Sequence, residues 1–423
     1  MNDIRIGPSF QPNLERTISS KLLELRQGQI IMGHVNKHFP NNMAEVQAGS
    51  QRLLAELSAP LSTDKNYWFR VQDNEDGKLS LKVLSAASPV NLDGGADSLL
   101  EQWSLPRTND LKNLAAQLLN EKMPFNKEML LLAGKWMESA QDSSKAIETI
   151  KEMLQRNLPF TEKVFTSLMA TRDGNTMNNL AGKLLSEMSA QQLSLPKLEE
   201  TLRLFETGKN VDLPDGGAIK EHLQRLLHTI GFSYENELLN NPDGGKGAQW
   251  NQLKPLLLDV LKQDAPASVK ELANALTDKI TGLQLLSQDS GPITQLMLQF
   301  PLHFQHHSMD ATLQYSGKKT KDGKIDADFC RILFYLDLAY LKETAIDMHV
   351  QKRIVHLTVF NENREIEPLM KSMLAGLREK LNEVQYSLSS IDFKSFQEDK
   401  EKKIDLDSKR NNSAYYKGVD YRI

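Results

Sequence analysis

Apolar and polar residues alternate in short runs up to about residue 86, recur at helical spacing to about 290, and alternate again to about 394. Gln29–Val35, Ala44–Ala48, Gln51–Leu57, Tyr67–Val71 and Lys78–Leu84 read as five strands. Asn74-Glu75-Asp76-Gly77 lies between the last two. Asp-Gly there is a hairpin signal, because tight turns need a residue that tolerates positive φ. Five short strands with turn residues between them predict a small β domain over 22–86, a closed barrel or a sandwich. Closure would remove the exposed edges that short strands otherwise leave. Residues 1–21 carry little periodicity and read as a leader.

Residues 87–107 contain Ser88-Pro89, Asp93-Gly94-Gly95 and Leu105-Pro106, which reads as a linker. A central all-α array over 108–290 follows. Leu111, Leu114, Ala115, Leu118 and Leu119 share one helix face. Met129, Leu132, Trp136 and Met137 mark the next helix, and Ile147, Ile150, Met153 and Leu154 the one after. Leu180, Leu184, Leu185 and Met188, then Leu198, Leu202 and Phe205, continue the series. Met123-Pro124-Phe125-Asn126 returns 35 residues later as Leu158-Pro159-Phe160-Thr161. Proline stops the preceding helix. Phe125 and Phe160 are placed as hydrophobic staples, and Asn126 and Thr161 as N-caps. Leu195-Pro196 begins a weaker third copy.

Strands return at Leu296–Phe300 and Met309–Tyr315, separated by a charged loop, Lys318–Lys324, from Phe329–Leu338, Ala345–His349 and Ile354–Phe360. An amphipathic helix comes next. Its stripe is Ile366, Leu369, Met370, Met373, Leu374, Leu377, Leu381 and Val384. A last strand, Ser387–Phe393, completes an α+β domain over 291–394, a mainly antiparallel sheet with one long helix on one face. Residues 395–423 form a tail charged in both signs, which predicts disorder. The fold class is thus multidomain α and β.

Composition narrows the function. The chain has 423 residues, 51 basic and 55 acidic, for a net charge of −4. That balance argues against general nucleic-acid binding, which needs a basic surplus. No apolar run approaches the ~18 residues of a membrane helix. The start, Met1-Asn2-Asp3-Ile4-Arg5, has no basic region leading into an apolar core, so no cleaved signal is expected. A cytoplasmic location follows, with export by a route that cleaves no signal left open. A lone cysteine, Cys330, allows no internal disulfide and no Cys-cluster metal site. It sits in an alternating apolar strand, which predicts a buried, inert thiol.

Candidate chemistry is sparse. Tyr67, Trp68 and Phe69 are adjacent, so they alternate faces and make no single stacking platform. Pro242-Asp243-Gly244-Gly245-Lys246-Gly247 lacks phosphate-loop spacing and reads as a turn, as does Pro214–Gly217. His303, His306 and His307 lie beside Phe300-Pro301 without metal-ligand spacing and read as an exposed loop. His349 and His356 fall on neighbouring strands near Asp347, which is not by itself a proton relay. The 15 methionines fall mostly on helical apolar faces and read as core filling. Nothing asks for an enzyme, a cofactor, a metal or a small-molecule substrate.

Leu336-Asp337-Leu338-Ala339-Tyr340-Leu341-Lys342 joins two strands and is followed by a strand, the long helix and Tyr386–Phe393. This order resembles the C-terminal domain of flagellar hook-length control proteins over about 292–393. That family carries Leu-x-Pro-x-x-Leu-Gly before an alternating strand. Leu336 and Leu341 match it. Leu338 stands where the family has proline, and Lys342 where it has glycine. The helical array and small β domain also resemble the amino-terminal parts of larger members from Gram-positive bacteria. The resemblance implies a non-enzymatic module that contacts the cytoplasmic domain of a flagellar export-gate protein, or a homologue of it, and switches type III export specificity. A cytosolic adaptor that measures no length is the alternative. On the resemblance, Asp337, Leu338, Tyr340, Leu341 and Lys342 are the partner-binding candidates. Turns on a rigid sheet are frequent recognition sites.

Overall fold

The computed structural model describes residues 27–396, apart from 41–42, 49–50, 58–60, 64, 74–78, 87–91, 207–215, 241–250, 288, 291–292, 305–306, 321–324, 339 and 364. The expected leader, most of the tail, the 74–77 turn and the 242–247 turn fall outside these residues. So do His306 and the side chains of His303 and His307. The chain mixes α and β, as its patterning predicts, and divides into two compact units, Glu15–Phe165 and Thr166–Ile423 with Met1–Leu14.

In the Glu15–Phe165 unit, β1 (Ile30–His38), β2 (Met43–Ala48), β3 (Gln51–Leu57), β4 (Asn66–Asp73) and β5 (Leu79–Ala86) close a barrel in the order β1-β2-β3-β5-β4. Ile31, Val35, Val46, Tyr67, Phe69 and Val71 fill it. A Cβ at Gly33 would lie 2.4 Å from Val46 Cγ1, so only glycine lets β1 approach that closely. Tyr67 and Phe69 share the core, and Trp68 is buried on the barrel's other face. All three aromatics are packing residues.

Four helices follow in this unit: α1 (Leu92–Gln102), α2 (Asn109–Asn120), α3 (Lys127–Ser139) and α4 (Ser143–Gln155). The helix α1 corrects the linker expected at 87–107. Its Gly94-Gly95 falls in the first turns, where a helix tolerates glycine better than in its middle. In α3 the buried face is Leu130, Ala133, Trp136 and Met137, one position round from the expected Met129 and Leu132. Asn126 Oδ1 accepts from Met129 N at 2.8 Å, as a cap should. Phe125 does something else. It exchanges backbone hydrogen bonds with Ile30 of β1 and meets Trp103 edge-on at 6.0 Å. That position ties the barrel to the helices.

The helices share a terminator that the sequence reading recognised only in part. Ser104, Lys122, Asn157 and Gln192 all have φ between 52° and 58°. Each is followed by a leucine or methionine whose N–H donates back across the last turn. The bonds run from Leu105 to Leu100 O, Met123 to Leu118 O, Leu158 to Met153 O and Leu193 to Met188 O. This is the Schellman ending, with a left-handed residue closing the last turn. Three of these endings run on through proline to a cap, at Pro106-Arg107-Thr108, Pro124-Phe125-Asn126 and Pro159-Phe160-Thr161.

The unit boundary falls inside α5 (Glu162–Ala170). Beyond it come α6 (Met177–Ala190), α7 (Pro196–Glu206), α8 (Gly216–Ile230), α9 (Tyr234–Asn240), α10 (Leu253–Lys262) and α11 (Ala267–Leu286). Proline opens α7 instead of preceding its cap, so the third repeat copy has a different geometry. A Cβ at Gly282 of α11 would lie 2.1 Å from Ser167 O, and Ser167 Oγ donates to Asp278 at 2.9 Å.

A seven-stranded sheet then forms in the order β12-β11-β10-β9-β8-β7-β6. Its strands are β6 (Asp289–Ser290), β7 (Ile293–Phe304), β8 (His307–Lys319), β9 (Ile325–Leu338), β10 (Lys342–Gln351), β11 (Ile354–Asn361) and β12 (Ser387–Lys394). All pairs are antiparallel except β11 with β12, which α12 (Ile366–Glu383) joins. The boundary expected at 290 is also corrected. Leu296, Leu298, Phe300, Ala311 and Tyr315 belong to one core with Leu180, Leu202, Val269 and Ile280 of the helices. Leu377 and Leu381 of α12 pack on Val350, Val355, Leu357 and Leu388. Met373 and Val384, expected in the α12 stripe, are instead 66% and 59% exposed.

Candidate functional site

The candidate residues sit where β9 turns into β10. Antiparallel pairing runs without a break from Gln351↔Phe329 to Lys342↔Leu338, so the turn is short and its register fixed. Lys342 closes it at φ 58°. This is the left-handed region that glycine enters freely and other residues enter at a cost. Asn361 of β11, 4% exposed, braces the turn from beneath. Its Nδ2 donates to Leu341 O at 2.8 Å, to Glu343 O at 3.1 Å and to Thr344 Oγ1 at 2.8 Å.

The five candidates divide by exposure. Tyr340 is 83% exposed, Asp337 and Lys342 are exposed, and Leu338 and Leu341 are half-buried. Pairing sets their faces. Leu338 and Lys342 lie opposite one another, as do Asp337 and Glu343. Glu343 also accepts a hydrogen bond from the Tyr335 phenol, whose pKa is pushed to about 12, first by burial and then by this carboxylate.

Comparison with curated proteins finds a distant relative. The uncharacterized protein YlqG of Bacillus subtilis (strain 168) is 20% identical over 527 aligned residues. The match spans 89% of this chain and 91% of that protein. No family model and no solved structure matches the chain.

A second polar group occupies the strands behind the turn; the sequence pattern marks His349, His356 and Asp347 there but not Arg331. Arg331 grips Asp347 with both arms, Nε at 2.8 Å and Nη2 at 2.6 Å. His349 Nε2 lies 3.2 Å from the same carboxylate. His349 and His356 are register partners, and His356 Nδ1 is 2.5 Å from Ser390 Oγ. Burial alone would raise the Asp347 carboxyl, but hydrogen bonds from His349 and Arg331 outweigh it and hold it well below the usual range. The arrangement is a cross-strand clamp. Cys330, expected to be buried, is half-buried. Burial, with Asp326 and Asp328 nearby, still pushes its thiol up and keeps it a poor nucleophile. Among the described residues, no group of three or more His, Cys, Asp or Glu is placed to hold a metal ion, and no helix is long and apolar enough to cross a membrane.

Proposed function

We propose that the chain is a non-enzymatic protein-interaction module of the cytoplasm. It acts on the cytoplasmic domain of a flagellar export-gate protein, or a homologue of it, to control type III export specificity. The observation that carries this reading is the backbone of Lys342. The hook-length control pattern has glycine at this point of its Leu-x-Pro-x-x-Leu-Gly motif, and here the lysine takes the left-handed φ of 58° that a glycine supplies without strain. The turn therefore takes, at a lysine, a conformation that glycine favours, which supports the resemblance. Asn361 fixes its shape, and Tyr340 stands out from it for a partner to cover. A full-length chain with Tyr340→Ala and Leu338→Asp should lose capture of an export-gate cytoplasmic domain while its circular dichroism stays unchanged. Capture by the double variant would reject this surface, and no capture by the wild type would reject the partner.

The adaptor reading is favoured by a different observation. A closed barrel and a run of capped helices precede the C-terminal sheet. A length-measuring segment inside a narrow channel has to be extended, and these elements are folded. Appearance of the chain in culture medium, dependent on the flagellar secretion apparatus, would decide against the adaptor.

A further inference from the structure

The seven-stranded sheet has two edges, and they are finished differently. On one side β6 pairs with Ile293 and Thr294 at the start of β7. Further along, Ser287 Oγ accepts from Met297 N at 2.8 Å and donates to Met297 O at 3.2 Å. Both backbone groups of Met297 therefore point outward, as do those of every second residue in a strand. Register with β8 runs unbroken through this stretch, so Pro301 falls at an outward position too, where it offers no N–H. A short edge strand, a satisfied residue and a proline leave little there for another strand to pair with.

The β12 edge lacks these devices over its second half. Ser389 is the extra residue of a bulge, its Oγ donating to Val355 O at 2.9 Å, and it interrupts the strand only at that point. From His356↔Ser390 to Phe360↔Lys394 the parallel pairing with β11 is regular. Residues 390–394 include no proline or glycine, and among the described residues no strand pairs with their outer side. Their side chains alternate. Ile391 packs with the α12 core and Phe393 follows on the same face, both half-buried. Asp392 and Lys394 are exposed on the other face. His356 Nε2 approaches Asp392 at 3.5 Å and leaves that side chain 52% exposed.

This order is complementary to itself. Two such strands laid antiparallel about Phe393 place Asp392 of each opposite Lys394 of the other, and Phe393 opposite Phe393. Opposite charges facing each other across a strand pair attract, and like charges repel. An in-register parallel pair, or an antiparallel one slipped by two residues, sets like charges opposite instead. We infer that a second copy of this chain docks along β12, joining two sheets into one across a two-fold axis at Phe393. Ile391 and Phe393 then continue the apolar face under α12 from one copy to the next. The helices leave room for this contact. Residues of α12 pack on β10, β11 and β12, so the two α12 helices stand two to three strand spacings apart, about 10–14 Å. Packed helices need about 8–10 Å. The inference stands apart from the export-gate reading, since it concerns only contacts between copies of this chain.

Sedimentation equilibrium of the full-length chain, from micromolar to submillimolar concentration, should show a monomer–dimer equilibrium that added salt weakens. Asp392→Lys should weaken the dimer about tenfold or more, because the two-fold axis turns one substitution into two repulsive pairs. Adding Lys394→Asp exchanges the two charges and should restore the dimer. Circular dichroism checks that each variant keeps its fold. Register is read separately, with the one native cysteine removed as Cys330→Ala. Phe393→Cys should then give a disulfide-linked dimer under mild oxidation. Asp392→Cys should link poorly to itself and readily to a chain with Lys394→Cys. The inference is overturned by a chain that stays monomeric, by a dimer that Asp392→Lys leaves unchanged or the double variant fails to restore, or by Asp392→Cys linking to itself as fast as Phe393→Cys. A monomer in which Lys394→Cys links to Asp420→Cys of the same chain also overturns it, since Asp420-Tyr421-Arg422-Ile423 has the charge order to fill this edge from within. Failure of the export-gate capture leaves these results unaffected.

Discussion

At the scale of single residues, the β9–β10 turn is held in shape by one side chain and strained at another. Asn361 satisfies three acceptors of the turn with one amide. Asn361→Ala should therefore cost about 1–2 kcal/mol, since Thr344 Oγ1 and the part-buried carbonyls of Leu341 and Glu343 lose their donor. It should also weaken any partner that reads Tyr340, measured by urea unfolding beside the capture assay. Lys342 makes the opposite prediction. A non-glycine residue in the left-handed region costs about 1–2 kcal/mol, so Lys342→Gly should gain about 0.5–1 kcal/mol after glycine's own entropy cost. A raised urea midpoint at unchanged slope would show it, and a lowered midpoint would mean the lysine side chain stabilises the turn. The Asp347 clamp adds a pH dependence. Its folded carboxyl titrates well below the unfolded value near 3.9, so the folded state binds fewer protons there. The stabilisation is complete at neutral pH and is lost as pH falls below about 4 toward the folded pKa. Asp347→Asn should flatten that acid limb in a series of melts from pH 7 to pH 2.5. An unchanged limb would place acid sensitivity elsewhere.

At the scale of elements, the readable signals were those with a steric cause. The Pro-x-cap repeat was legible because proline and Asn or Thr each leave a mark at a helix boundary. Leu111, Leu114, Ala115, Leu118 and Leu119 are all buried, as their spacing required. The left-handed ends were not legible. Glycine announces them, whereas Ser104, Lys122 and Gln192 do not, and Asn157 does so only weakly. The same gap hid the ending at 104–108 and let Gly94-Gly95 pass for a linker turn. A testable asymmetry follows within one ending. Lys122→Gly should raise the thermal midpoint, because it removes left-handed strain. Asn126→Ala should lower it by about 1 kcal/mol, because it removes the acceptor from Met129 N. Equal effects of one sign would mean that the ending and the cap are not independent devices. For the candidate site, the pattern of residues placed Leu338, Tyr340 and Lys342 in a turn. Nothing in it pointed to Asn361, which is twenty residues from Leu341 and is brought there only by the β10–β11 pairing.

At the scale of the whole molecule, alternation told which side chains of β7 and β8 point the same way, but not what they face. That is why a domain boundary at 290 looked natural and the structure has none there. Leu296, Leu298, Phe300 and Tyr315 are buried in a core shared with α6, α7, α10 and α11. A fragment of residues 291–396 would return these four large side chains to water, a loss on the order of 6–12 kcal/mol. Whole domains are commonly stable by about 5–15 kcal/mol. The fragment should therefore aggregate or melt without a cooperative transition, although β7 to β12 and α12 are all present. A fragment of residues 161–396, starting at the cap of α5, keeps the helices and should melt cooperatively. Purifying both and following far-UV circular dichroism with temperature separates the cases. A cooperative melt of 291–396 at the midpoint of the longer fragment would mean that the contacts of α12 alone hold the sheet, and that the helices merely lie against it.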